Sequence, residues 1–491
     1  ENTWPSTILF EIYPFFSYNI SEKGVSFMYR EAEEKLTSWY TGSRRKPLVI
    51  RGARQVGKST LVRSFCDAQG IALYEVNLEK HRVLDSVFAS FDSAMIIREL
   101  QVVVGRRITA EGGLLFLDEI QATPHAIAAL RYFYEERPDL AVIVAGSLME
   151  FVLADHSFSM PVGRVEYFRM GPVTFREYLN AIDPDLRRYV AEYRIGASLP
   201  ESAHRKLVEY QRQFLLVGGM PEVVQAAIDG ASFQEMQSLQ QSLVDTFRDD
   251  FAKYAAQSQL VRLQVLFDAI PQWIGRKVIY RKMVPEGSSA VVRTHLELLI
   301  RAGLCTPVHH TAGSGIPLAA LIDRNVYKLL HLDVGMLTMM SGLSWKDIAR
   351  PDARALVNEG TLAEQFVGQE LLAALENSPD RGLYYWLRDR KSANAEVDFV
   401  ISHGNTIVPV EVKAGRSGSL KSLHQFVHQK KPPLAVRFDL NLPSEQVVDV
   451  RVMPDGVSVP PVEPVAVRYR LISLPLYVAG ELPRLVSQLE G

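Results

Sequence analysis

The stretch Pro47–Phe65, "PLVIRGARQVGKSTLVRSF", constrains this chain more than any other. An apolar run from Leu48 to Ile50 enters Gly52-x-x-x-x-Gly57-Lys58-Ser59, and helix-forming residues follow to Ala68, with Gly70 as a stop. A glycine loop between a strand and a helix lets successive backbone N–H groups wrap a phosphate at the helix N-terminus. The spacing therefore predicts an α/β core with a nucleotide held by Gly52, Ala53, Arg54, Gln55, Val56, Gly57, Lys58, Ser59 and Thr60. Lys58 is expected to reach the β- and γ-phosphates and the Ser59 hydroxyl to ligate Mg2+.

Such a site needs a second strand that ends in an acid. "GGLLFLDEI" supplies an apolar run, Leu114 to Leu117, of the kind buried in a parallel sheet, ending in Asp118 and Glu119. Asp118 is the expected carboxylate on the metal side, and Glu119 the expected base that orients an attacking water. The acid pair favours hydrolysis over simple binding. A third strand, "LAVIVAGS", ends in Ser147, which fits either a sensor of the γ-phosphate or a plain strand-to-turn junction. Arg164, in "PVGRVEYF", is read either as a transition-state arginine, acting in cis or on a neighbouring subunit, or as a surface ion pair.

The 491 residues exceed one typical core and imply three or four domains. With 54 basic against 56 acidic side chains there is no global field to attract nucleic acid or anionic lipid, so polyanion contacts must be local. Cys66 and Cys305 lack the spacing of a metal knuckle or redox pair, and no apolar run is long enough to span a membrane. These features point to a reduced, cytoplasmic protein. Residues 1–27 are aromatic-rich without a period and read as an extension, with the first domain starting near Met28.

After the nucleotide core (28–165), "GPVTFREYLNA", the helix Glu201 to Tyr210 and the turn in "LLVGGMPEVV" read as a helical lid over 166–255. Asp249, Asp250 and Lys253 read as its solvated face. Over 256–345, three helices precede a glycine-tipped hairpin around Gly313 and Gly315, the order of a winged helix. Ser288 or Ser289 is its third helix's N-cap and Gly303 the stop. On that helix only Arg293 and His295 are expected to face outward, so DNA contact and an architectural role weigh equally.

The remaining residues, 346–491, carry a second set of acids. A helix through "TLAEQFVGQELL" bears Glu364, and "AEVDFVIS" is a strand with Val397, Phe399 and Ile401 on one face and Glu396 and Asp398 on the other. The loop His403-Gly404-Asn405 reverses the chain into "TIVPVEVKAG", so Asp398 meets Glu411 across a hairpin, with Lys413 on the same face as Glu411. An Asp followed by Glu-x-Lys on the next strand is the arrangement of the PD-D/E-x-K nuclease fold. There Glu364, Asp398 and Glu411 would hold Mg2+ or Mn2+ on a scissile phosphate, and Lys413 would position or deprotonate water. The plain alternative is a strand with one wet face. Ser419 and Lys421 fit phosphate contacts or a solvated helix start equally well.

The strings "RGARQVGKST", "LFLDEIQ", "GPVTFREYL" and "GGMPEVV" resemble prokaryotic AAA-fold ATPases that carry a C-terminal domain of unknown function. The resemblance runs from Met28 to the end and implies a C-terminal domain like restriction endonucleases, with host defence, toxin systems or mobile elements as contexts. Two activities remain open: an ATPase governing a nuclease-like domain on DNA or RNA, and an ATP-driven switch whose C-terminal domain is an inactive binding module. Homo-oligomers fit both. A metabolic kinase is disfavoured, because no acceptor pocket follows the third strand.

Overall fold

The computed structural model describes residues 28–147, 161–284, 288–343, 359–376, 382–388, 395–415, 419–453 and 463–489. The expected extension over 1–27 lies outside them. Five strands, β1 (Leu48–Arg51), β2 (Ala72–Asn77), β3 (Gly113–Asp118), β4 (Ala141–Ala145) and β5 (Glu166–Arg169), form a wholly parallel sheet in the order β2-β3-β4-β1-β5. Every residue of β3 and β4 is buried, as continuous apolar strands require when helices cover both faces. Leu115, Leu117, Val142 and Val144 pack under the helix Pro124–Glu136, while Leu114, Phe116 and Ile143 pack under the loop helix Lys58–Gln69. Because β4 lies between β1 and β3, the glycine loop and Asp118 converge at one end of the sheet across a single strand.

The strand β5 also shapes the loop. Gly52 has φ 147°, and a Cβ there would stand 2.1 Å from the carbonyl oxygen of Met170, so only glycine lets the chain leaving β5 pass this close.

The second sheet has eight strands: β6 (Cys305–Thr311), β7 (Ile322–His331), β8 (Tyr384–Arg388), β9 (Ala395–His403), β10 (Thr406–Val412), β11 (Leu434–Asp439), β12 (Ser444–Val452) and β13 (Val465–Pro475). Their order is β12-β13-β11-β10-β9-β8-β6-β7. The hairpin expected to be the wing does form from β6 and β7, but β6 also pairs in parallel with β8. It is therefore the continuation of the C-terminal sheet rather than a free wing, and its inner edge is paired instead of exposed. The expected boundary near residue 345 separates no cores. One hydrophobic cluster runs from Val173 and Phe214 through Leu296 and Leu329 to Phe366, Val410 and Tyr477.

Two expected details change. Ser288 caps the helix Ser289–Arg301 by accepting from the Val291 N–H, but His295 is buried and its Nδ1 lies 2.7 Å from the Val291 carbonyl oxygen. Only Arg293 faces outward of the two, and it pairs with Glu297 at 3.0 Å. Second, the pairing of β8 with β9 shifts between Tyr384↔Val400 and Trp386↔Val397, which inserts one residue into β9. Val397 consequently packs with Trp386 and Leu423, whereas Phe399 and Ile401 pack on the opposite face with Phe366 and Val410.

The "GGMPEVV" turn is a docking point. The buried Asp333 carboxylate accepts from the N–H groups of Gly219 at 2.5 Å and Met336 at 2.9 Å, and burial pushes its pKa up to about 6. A Cβ on Gly219 would lie 2.1 Å from the carbonyl oxygen of Val173, whose own N–H donates to the Gly219 carbonyl at 2.7 Å. Backbone cannot retreat without breaking that bond. Gly219→Ala is expected to cost about 3 kcal/mol or more, against about 0.5 kcal/mol for an exposed helix change such as Gln241→Ala, read as the shift in urea midpoint.

Candidate nucleotide site and C-terminal acid cluster

Lys58 begins the loop helix with 8% of its surface exposed. Its Nζ donates to the carbonyls of Gly52 at 3.0 Å and Ala53 at 2.7 Å. Burial pulls its pKa down to about 8, against the opposing attraction of Glu119 and Asp118. Ser59 Oγ donates to Asp118 Oδ2 at 2.8 Å, so the two groups expected at Mg2+ are already neighbours. Their oxygens, one hydroxyl and one carboxylate, suit a hard cation that keeps most of its water and takes the rest of its shell from phosphate. Burial raises the Asp118 pKa, an effect the Ser59 bond opposes.

Glu119 occupies the left-handed region at φ 53°, donates its N–H to Asp118 Oδ1 at 3.0 Å and accepts from the Gln121 side-chain amide. A non-glycine residue there stores about 1–3 kcal/mol of strain, and such strain clusters where a side chain must be aimed. Ser147 follows β4, between the loop and Asp118, and its buried hydroxyl makes no hydrogen bond. It shares a small cavity with Arg54 and Asp250.

Asp250 corrects the expectation of a solvated face. At the end of the helix Phe233–Asp250 it is buried, accepts from Arg54 of the loop at 2.5 and 2.7 Å, and lies 3.3 Å from Lys253. Asp249 has no such partner among the described ion pairs. Gly303, where the helix Ser289–Arg301 ends, sits on Ala53, so the middle segment also touches the loop.

Arg164 lies at the other end of the sheet. It precedes Glu166, which pairs with Leu48 at the entry to β1, while the loop leaves β1 after Arg51. Its guanidinium pairs with Glu135 at 2.9 Å and covers the Tyr134 ring. The structure does not bring it to its own loop, so the arrangement in cis is not met.

A side chain that sequence reasoning missed grips the loop from outside. Buried Arg30 donates to the Val56 carbonyl at 3.1 Å and to those of Gly171 and Pro172 at 2.9 and 3.2 Å, and its Nε lies 3.1 Å from Glu177. Glu177 completes the capping box of the helix Phe175–Ile182 with Thr174 and also accepts from the Glu31 N–H at 2.7 Å. The next link crosses to the C-terminal part. The Phe175 N–H donates to buried Glu370 at 2.8 Å, on the acid helix Glu359–Leu375. Arg176 bridges Glu31 at 2.6 Å and Glu481 at 3.9 Å. A cleft of about 940 Å³ opens beside this junction, walled by Gly52, Ala53, Arg169, Arg176, Gln369 and Glu376.

The C-terminal acids gather differently from the expected set. The paired register of β9 and β10 ends at Val410 on Phe399, and just beyond it Asp398 Oδ2 accepts from the Val412 N–H at 2.7 Å. Yet the carboxylates that approach within 4.8 Å of one another are Glu364, Glu396 and Asp398, not Glu364, Asp398 and Glu411. The reason is the extra residue in β9 together with alternation along β10: Val410 and Val412 face the acid helix, so Glu411 between them turns away from it. Glu411 pairs with Lys413 at 2.6 Å, and burial, then the nearby Asp398 charge, pushes its pKa up to about 8. Its Oε2 is buried without a partner.

Lys328 was not anticipated, although a lone cation in the apolar run "VYKLLH" is a visible signal. It is fully buried, bonds Glu364 Oε1 closely, and lies 3.5 Å from Glu396. Ser419 accepts from the Lys421 N–H at 3.4 Å, a local turn at a helix start.

The comparisons agree with the first of these sites. The AAA domain family matches residues 44–179, the span that holds the loop, Asp118, Glu119 and Ser147. Residues 44–179 carry an AAA-type domain. Two families described only as domains of unknown function, DUF8612 and DUF4143, match residues 208–347 and 359–448. No curated protein matches the chain. The Aeropyrum pernix ORC2 protein in its ADPNP–ADP complexes is 12% identical, with 68% of this chain and 98% of that one covered at a TM-score of 0.31. The Aeropyrum pernix ORC1 protein in complex with DNA is 12% identical over 63% and 90%, at 0.26. The Thermotoga maritima RuvB Holliday junction branch migration motor is 14% identical over 57% and 72%, at 0.23. Scores this low carry no argument about function. Among the described residues no helix is long and apolar enough to cross a membrane.

Proposed function

We propose that this chain is a Mg2+-dependent ATPase of the AAA type that works as a nucleotide-driven switch, its state passed to a restriction-endonuclease-like C-terminal domain that binds nucleic acid. The observation that carries the reading is a continuous line of buried contacts: the Val56 carbonyl to Arg30, Arg30 to Glu177, and the same capped helix through the Phe175 N–H to Glu370. Glu370 and Glu364 share one helix, so a shift of the loop against Arg30 moves the acid cluster as well. Lys58, Ser59, Asp118 and Glu119 have the roles their motifs predict: phosphate contact, metal contact through hydroxyl and carboxylate, and orientation of water. The large cleft beside Gly52 and Ala53 has room for the nucleoside end of ATP. Arg164 pairs with Glu135 away from its own loop, so a transition-state role for it would be exerted on the loop of a neighbouring copy.

A second reading, cleavage of DNA or RNA by Asp398, Glu411 and Lys413 with Mg2+ or Mn2+, is favoured by one observation, the buried and unpartnered Oε2 of Glu411. One experiment separates the two. ATP hydrolysis is measured with no polymer and with single- and double-stranded DNA and RNA, and strand cleavage is followed in the same tubes. Hydrolysis that rises with one nucleic acid, without cleavage, is the expected result. Metal-dependent cleavage lost in Lys413→Ala would establish the second reading instead, and hydrolysis indifferent to every polymer would remove nucleic acid as the ligand.

A further inference from the structure

The geometry points to Lys328 as the resident cation of the C-terminal acid cluster, a built-in ammonium standing where a nuclease of this fold would place a divalent metal. The inference deepens the proposed reading of the C-terminal domain as a binding module and rests on it for its meaning, though the ion cluster is a matter of distances alone. Lys328 Nζ touches two of the three carboxylates that come within 4.8 Å of each other, Glu364 and Glu396, and its charge reaches Asp398. None of its surface meets solvent.

Its position is fixed from several sides. The ammonium lies 5.2 Å from the Tyr385 ring centre on β8 and 4.8 Å from that of Phe399 on β9, both favourable to a buried cation. Its backbone is held between β6, where Lys328 pairs with Val308, and the segment around Gly275, which bridges to Leu329 and Lys328 through Ile274 and Lys277. That same segment closes on the acid helix: a Cβ on Gly275 would come within 2.8 Å of Glu364 Oε2. One oxygen of Glu364 is thus taken by the ammonium and the other lies over Gly275. A divalent cation needs several oxygens at about 2.0–2.6 Å with room for water, and here two of the three acids already converge on a nitrogen.

The consequence is a metal-free cluster that ties β7, β9 and the acid helix together. Lys413 does not share this role, since it pairs with Glu411 on the other side of the divide at Asp398.

The test uses the full chain without nucleotide, so that the nucleotide site offers Mn2+ only Ser59 of the loop and Asp118 of β3. Free Mn2+ is followed by electron paramagnetic resonance during titration of wild type, Asp398→Asn, Lys328→Met, and Lys328→Met with Asp398→Asn. Wild type is expected to show no tight site attributable to the cluster, so Asp398→Asn alone leaves its titration unchanged. Lys328→Met is expected to gain one site at least tenfold tighter, with a melting temperature restored by Mn2+, and the added Asp398→Asn to abolish it. A wild-type site lost in Asp398→Asn overturns the inference, as does a folded Lys328→Met that gains none. Should Lys328→Met not fold, Lys328→Met with Glu364→Gln removes a charge of each sign and must fold without metal if the ammonium is only a counter-ion; its failure to do so counts against the inference. ATP hydrolysis by the same wild-type sample is scored separately, because its loss sinks the proposed ATPase and leaves the cation assignment standing.

Discussion

Lys58→Ala is expected to lower ATP hydrolysis at least about a hundredfold, because the proposed ATPase relies on this ammonium to contact the β- and γ-phosphates. In the structure that ammonium is already desolvated and held by the Gly52 and Ala53 carbonyls, so it needs only to swing from two neutral acceptors to a charged one. On the same proposal Glu119→Gln should reduce hydrolysis comparably while keeping ATP bound, since it would alter the group assigned to orient water and leave the phosphate contacts intact. The pH dependence follows from the same burial. With the Lys58 pKa lowered to about 8, a growing fraction is neutral above that pH in nucleotide-free protein. Bound phosphate favours the charged form, so binding takes up a proton and affinity falls as pH rises above about 8, by at most tenfold per pH unit. For folding the sign is opposite: the folded state binds this proton less tightly than the unfolded chain. Lys58 therefore costs stability below about 8, a cost relieved as pH rises from there toward the ordinary lysine value. Isothermal titration between pH 7 and 9 in buffers of different ionisation heat reads the proton uptake, which should vanish in Lys58→Ala. Unchanged uptake in that variant would place the proton on another group.

How much was legible depends on whether the determinant is local. The loop, the Asp118 strand and its neighbour β4 announce themselves because a parallel strand buried on both faces must be apolar and a phosphate loop must have its glycines at fixed offsets. The hairpin of β9 and β10 was legible for the same reason. What failed was the assumption that alternation continues unbroken. One inserted residue opposite β8 moves Val397 to the other face from Phe399, and brings Glu396 rather than Glu411 to Glu364. The other misses are contacts between distant parts of the chain. Asp250 looks solvated in its helix until Arg54, 196 residues earlier, is brought against it. His295 looks exposed by helical spacing until the surrounding core closes on it. The wing looked free because nothing in 305–331 says that β8 will pair with its edge.

Arg30→Ala is the substitution outside the glycine loop expected to do the most damage. It leaves Glu177 buried with its ion pair gone and strips the Val56, Gly171 and Pro172 carbonyls of a donor at once. Breaking a buried pair from one side costs about 3–5 kcal/mol, more than most core truncations to a smaller aliphatic. Arg30→Lys should rescue little, because three carbonyls and a carboxylate in different directions need the forked guanidinium and not a single ammonium. Glu177→Gln removes the counter-ion of Arg30, and its single amide oxygen keeps the Thr174 N–H of the capping box only by giving up the Glu31 N–H that the other carboxylate oxygen accepts. The paired variant Arg30→Ala with Glu177→Gln is expected to be less destabilised than the two singles summed, since the second change removes the charge that the first left unpaired. Denaturant midpoints and ATP hydrolysis measured on all three variants distinguish a brace from a coupling element. If Arg30 merely braces the fold, nucleic-acid stimulation of hydrolysis persists in whatever fraction remains folded. If it transmits the state of the loop to Glu370, the folded Glu177→Gln protein hydrolyses ATP at its basal rate and no longer responds to nucleic acid, because the link from Val56 to the acid helix has been cut between its second and third members.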